Sequence, residues 1–217
     1  MAVLQTIFNP SLINKPLFIE DFVNEDTNYD TAKTLLSNYV KSGDIKRYSQ
    51  GIYYIPTKTI LGYSTISFES IIERKYISDN NKVFGYYSGM SLLNSIGLSS
   101  QVPNIPEITT NNEATRKRKV RIGKRSVIVR RSNIEINNDN YLYLQFFDIF
   151  RYGDQKAIED NKNNVLKFFD DNKLKLNKLM EIEKLLPMKI RKIFRRSKIY
   201  YELTFIHNDA YNKHWNE

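Results

Sequence analysis

The stretch "PLFIEDFVNEDTNYDTAKTLLSNYVKSGDIKRYSQGIYYIP", residues 16–56, decides how the chain begins to fold. In its centre Ala32, Leu35, Leu36, Tyr39 and Val40 recur at i, i+3, i+4, i+7 and i+8, the spacing that lays one apolar stripe along a helix. The stripe predicts a helix over residues 28–41, ended by Gly43. Ahead of it, Leu17, Phe18, Phe22 and Val23 predict a shorter helix, followed by the polar break "NEDTN". Within that break Thr27 suits an N-cap, with Asp30 three positions on as the acidic member of a capping box. Behind the main helix, "IKRYSQGIYYIP" is rich in β-branched and aromatic residues and is split at Ser49, Gln50 and Gly51, which predicts a two-stranded hairpin.

Helix, turn, helix and hairpin in that order is the arrangement of a winged helix-turn-helix, whose second helix enters the major groove while the wing lies by the backbone. Opposite the apolar stripe, Asn28, Tyr29, Lys33, Thr34 and Ser37 are side chains that can reach base edges or phosphates. Lys46, Arg47 and Tyr48 on the wing can hold phosphates. Winged helices also serve protein contact alone, and the local charge favours that use. Residues 1–60 hold six basic and six acidic residues, so this module gains little from counterion release.

The missing charge lies elsewhere. "RKRKVRIGKRSVIVRR", residues 116–131, holds nine of the 33 basic residues and no acid, so the remaining 24 balance the 24 acidic ones. It divides into "KRKVRI", a turn at Gly123–Lys124 and "SVIVRR", a second hairpin. Strand alternation sets Val120 and Ile122 on one face and Lys117, Lys119 and Arg121 on the other. Three readings stand: a grip on nucleic-acid phosphates, a dock for an acidic protein, or a solvated strand face. Mixed signs are the norm on a solvated face, which weighs against the last. The absence of any aromatic residue in the run speaks for a duplex or structured RNA over stacked single strands.

Between the two hairpins, "FESIIERKYI" places Phe68, Ile71, Ile72 and Tyr76 on one helical face. "VFGYYSGMSLLNSIGL" brackets a tyrosine pair with Gly85 and Gly89 before a second apolar helix, and "PEITTNN" is strand-like. "NDNYLYLQFFDIFRY" is helical, and the chain from about residue 155 reads as helices, with Pro187 suited to a helix first turn. The expected class is α+β: a winged helix-turn-helix over residues 1–57, then a mixed α/β domain over 58–217 with a basic hairpin and a helical tail after about residue 153.

Catalysis finds little support. The chain has no cysteine, and its two histidines, His207 and His214, have no carboxylate cluster beside them, so neither thiolate chemistry nor a zinc site is expected. "FGYYSG" lacks the spacing and lysine of a phosphate-binding loop, "YSGMS" does not meet Gly-x-Ser-x-Gly, and the Glu73–Lys75 triplet reads as a solvated charge pair. No apolar run approaches the roughly 18 residues of a membrane span, and no signal peptide is visible, so a soluble cytoplasmic protein without cofactor is expected.

The middle of the chain also carries a resemblance. Arg47, Gly51 and Tyr53 fit an Arg-x-x-x-Gly-x-Tyr wing; the run Gly89 to Pro103, "GMSLLNSIGLSSQVP", carries "G-x-S/A-L" and then "G-L-x-x-Q-x-P"; and a "T-N" strand precedes the basic hairpin. Over about residues 17–150 the sequence resembles the AbiEi-like antitoxins of bacterial type IV toxin–antitoxin (abortive infection) systems. The resemblance implies a winged helix that binds inverted repeats in its own promoter as a transcriptional repressor. It also implies a toxin that looks like a nucleotidyltransferase and is neutralised without a stable complex. On this reading the DNA-binding set joins the helix and wing residues to Arg116, Lys117, Arg118, Lys119, Arg121, Lys124, Arg125, Arg130 and Arg131. A docking module that silences a partner through the basic hairpin, and an RNA-directed factor, remain the alternatives.

Overall fold

The computed structural model describes the backbone of residues 9–213 and side chains as far as Phe205. His214 lies outside the described residues, as does the side chain of His207. The chain divides into two compact units: the first runs to Lys75 and takes in Arg121–Ser126, and the second comprises Tyr76–Val120 with everything from Val127 onward. The architecture is mixed α/β, with several small sheets.

After a 3-10 turn at Pro10–Leu12, the first unit continues with β1 (Leu17–Phe18), and its main helix α1 covers Tyr29–Ser42. Then come β2 (Lys46–Ser49), β3 (Ile52–Tyr54), β4 (Lys58–Thr59) and β5 (Gly62–Tyr63). The predicted stripe is the packed face of α1: Ala32 and Leu36 are fully buried and cluster with Leu17, Ile19, Phe22, Ile45 and Tyr53. Gly43 ends the helix at φ 90°, a left-handed turn that glycine adopts without a Cβ clash. The cap falls one residue later than expected. Asn28, not Thr27, accepts the Thr31 amide at 2.9 Å, while Thr27 is buried.

The short helix expected over Leu17 to Val23 does not form. Leu17 and Phe18 pair instead with Tyr53 and Ile52, closing a sheet of order β1-β3-β2, and Ile19–Phe22 makes one 3-10 turn. Asp21 explains the choice. Its carboxylate accepts the Phe18 amide at 2.7 Å, a capping-box contact that starts the turn only after Phe18, and is gripped by the two terminal Arg74 guanidinium nitrogens at 2.9 and 3.0 Å, so Leu17 and Phe18 stay extended ahead of the turn. The strand also buries Leu17 and Phe18 together, and the turn buries Ile19 and Phe22, while Val23 stays exposed.

Helix α2 (Phe68–Ile72) continues as one π turn, Glu73–Ile77, within which the division between units falls. The second unit adds β6 (Ser78–Asp79), β7 (Lys82–Val83), β8 (Gly85–Tyr87), α3 (Gly89–Ser95) and β9 (Glu107–Thr110). The basic run forms the expected hairpin, β10 (Lys117–Ile122) and β11 (Arg125–Arg131), turned at Gly123 with φ 60°. The sheet order is β10-β11-β9-β8, in which β11 runs parallel to β9, Ile128 to Arg131 against Glu107 to Thr110. Gly85 is required beside β9, because a Cβ there would stand 1.9 Å from the Tyr76 carbonyl oxygen.

Six helices complete this unit: α4 (Tyr141–Tyr152), α5 (Gln155–Asp160), α6 (Lys162–Asp171), α7 (Leu176–Glu183), α8 (Met188–Arg195) and α9 (Lys198–Lys213). Pro187 is the N-cap of α8. Their core is aromatic. Phe194 lies edge-on to Phe146, Phe147, Phe150 and Tyr200 at centroid distances of 5.1–6.0 Å, the arrangement ring quadrupoles favour.

Candidate nucleic-acid interface

On α1 all five expected recognition residues, Asn28, Tyr29, Lys33, Thr34 and Ser37, are exposed. Two of them already serve the helix: Asn28 caps it, and the Thr34 hydroxyl donates to the Asp30 carbonyl at 2.9 Å. Tyr29, Lys33 and Ser37 follow one another at i, i+4 and i+8 and form a row along the exposed face. On the β2–β3 hairpin, Lys46 Nζ sits 3.9 Å from the centroid of the Tyr63 ring, and Arg47 Nε donates to the Ser49 carbonyl across the bulge in β2. Tyr48 is turned onto the hairpin tip: a Cβ at Gly123 would stand 3.2 Å from its ring, so the tyrosine packs where a larger turn residue would not fit.

The tip residues have their own partners in the first unit. Arg125 pairs with Glu69, and its guanidinium lies 4.2 Å from the centroid of the Phe68 ring. The Glu69 carboxyl is held below the usual range, chiefly by a backbone hydrogen bond and then, against some desolvation, by Arg125. Arg121 Nε donates to the Gly123 carbonyl at 3.2 Å, and Lys124 is exposed.

In the second unit the body of the hairpin is divided between paired and open cations. Arg118 donates to Glu113 at 2.7 Å. Burial would raise the Glu113 carboxyl, but the Thr115 amide and the Arg118 guanidinium outweigh it and hold that carboxyl low. Arg130 reaches one oxygen of Glu107 through Nη2 at 2.6 Å and Nε at 3.2 Å. Among the described residues Arg116, Lys117, Lys119, Arg121, Lys124 and Arg131 have no carboxylate within ion-pair distance, and all six are exposed.

Arg116, Lys117, Arg130 and Arg131 converge, with Arg151 from α4, on a cleft of about 710 Å³. Tyr152 also lines it, its ring centroid 5.2 Å from the Arg130 guanidinium and 6.0 Å from that of Arg151. Arg151 is positioned by Asp148, 3.1 Å away and one turn back. Burial pushes the Asp148 carboxyl up to about 7, against the pull of Arg151 and of the Tyr86 hydroxyl that donates to it. Among the described residues its Oδ2 has no hydrogen-bond partner.

Sequence reading missed Arg151, Tyr152 and Asp148. The available signal was "DIFRY", where an Asp and an Arg stand at i, i+3 inside an otherwise apolar aromatic helix. Glu73, Arg74 and Lys75 lie on the π turn, and among the described residues no group of three or more metal-ligating side chains forms there or elsewhere. No described helix is long and apolar enough to cross a membrane.

Fold and surface together define a mixed α/β protein of two units that concentrates its excess positive charge in one hairpin. The chain belongs to DUF6088, a family of unknown function, whose sequence pattern matches residues 10–186. No match is found among curated proteins.

Proposed function

We propose that this chain is a cytoplasmic, non-catalytic antitoxin and transcriptional autorepressor. Its first unit would act as a winged helix on inverted repeats in its own promoter, and its basic hairpin would supply the phosphate affinity that a neutral helix module lacks. On this reading it counteracts a nucleotidyltransferase-like toxin without holding it in a stable complex. The observation that carries the proposal is the exposed row Tyr29, Lys33 and Ser37 on a helix followed at once by a two-stranded hairpin, in a protein six of whose nine excess cations are exposed and, among the described residues, without a carboxylate partner. The 3-10 turn and β1 would brace α1 in place of a full first helix.

The proposal is tested by fluorescence anisotropy of the purified protein against its own upstream DNA and a scrambled duplex. Preference for the upstream DNA by a factor of about 10³ or more is expected of a specific repressor. Equal, weak binding to both would contradict it. A second reading, a module that docks a partner protein, is favoured by the turn between β4 and β5, where Ile60 and Leu61 are fully exposed. That reading predicts a partner that co-purifies with the wild-type chain and no longer does so after Ile60→Ser with Leu61→Ser.

A further inference from the structure

Two hollows adjoin in the second unit, and their linings differ in kind. The larger is the 710 Å³ cleft, which five cations line and, among the described residues, no carboxylate does. The smaller, about 260 Å³, shares Asn133, Arg151 and Pro187 with it and is otherwise mainly apolar, walled by Ile134, Leu144, Leu185 and Leu186 with Tyr86. Side by side they fall within the range of roughly 300–1,000 Å³ typical of small-molecule sites.

Like charges gathered along one cleft repel one another unless an anion joins them, and the concavity focuses their field on whatever enters. Among the described residues Arg116, Lys117 and Arg131 are the cleft cations with no carboxylate of their own. Arg130 and Arg151 are held in place by Glu107 and Asp148, so their guanidinium planes are preorganised. Planar guanidinium groups match phosphate oxygens in a bidentate way that a lone ammonium does not. A duplex does not enter a hollow of this volume, whereas a compact polyphosphate does. The apolar chamber beyond Arg151 then calls for a ligand whose second half is flat and weakly polar, and Asn133, at the junction, offers an amide with both a donor and an acceptor.

We propose that the two hollows form one binding site for a nucleoside polyphosphate, its phosphates in the cleft of Arg116, Lys117, Arg130, Arg131 and Arg151 and its base in the chamber walled by Ile134, Leu144 and Leu186. The site goes beyond the DNA-binding reading and does not depend on it, since it is tested on protein free of DNA.

The experiment is isothermal titration of the full chain with each of the four ribonucleoside triphosphates, with inorganic tripolyphosphate and with adenosine. At least one triphosphate should saturate the protein below about 1 mM at physiological salt. Tripolyphosphate should bind at least tenfold more weakly than that nucleotide, and adenosine more weakly still. Lys117→Ala with Arg131→Ala, both exposed and free of structural ion pairs, should weaken the nucleotide at least tenfold. Lys156→Ala, an exposed cation on α5 outside the cleft, should not. Leu185→Gln should weaken the nucleotide and leave tripolyphosphate unchanged. No saturation by any triphosphate, tripolyphosphate binding as tightly as the best nucleotide, or an unaltered affinity in the double variant would each overturn the proposal.

Discussion

Asp148 is the residue whose chemistry is most constrained by its surroundings. Its folded pKa, about 7, stands above the ordinary carboxylate value, so the folded chain keeps a proton that the unfolded chain has already released. Stability therefore falls as pH rises from about 4 to about 7 and levels off above that. Asp148→Asn removes the titration and leaves only a constant offset from altered hydrogen bonds to Tyr86 and Arg151. The melting temperature of the wild type relative to this variant should be highest at about pH 4 and lower by something on the order of 10 °C at pH 8. A difference that does not change with pH would contradict the assignment. At this scale the sequence was a partial guide to charge. No acid lies among the nine cations of residues 116–131, yet Glu69, Glu107 and Glu113 reach three of them. Two of those partners lie 56 and 23 positions away, beyond any local pattern.

At the scale of elements, what was legible was what is local and periodic. The stripe on α1, its glycine stop, the two hairpins and the aromatic helix α4 all follow from spacing. The Leu17–Val23 segment was misread because its apolar residues suit either a helix or a buried strand and turn, and the choice is made by Asp21 with Arg74, 53 positions on. The parallel pairing of β11 with β9 was equally invisible, since strand alternation says nothing about which neighbour a strand will take. The helical tail shows how one residue can hold several elements. Phe194 on α8 is fully buried among rings from α4 and α9. Phe194→Ala should cost about 3–5 kcal/mol in urea unfolding, from the forfeited transfer energy plus the cavity left behind. A midpoint within experimental error of wild type would show that the tail does not stabilise the unit.

For the molecule as a whole, the excess positive charge is confined to one basic hairpin, and the rest of the sequence is balanced. Of the nine hairpin cations six remain outward and without carboxylate partners among the described residues, and they are the ones able to release counterions from a nucleic acid. The central claim is that this hairpin, not the helix, supplies the bulk of the affinity, while α1 supplies the choice of sequence. Lys117, Lys119 and Arg121 lie on the exposed face of β10, so reversing them to glutamate leaves the core face of Val120 and Ile122 intact. The most direct measurement is the salt dependence of binding to the upstream DNA, wild type against this triple variant. Weaker binding is expected, with a log–log slope shallower by about 3, one for each phosphate that no longer meets a cation. An unchanged slope and affinity would contradict the claim, and would place the phosphate-binding cations outside the hairpin.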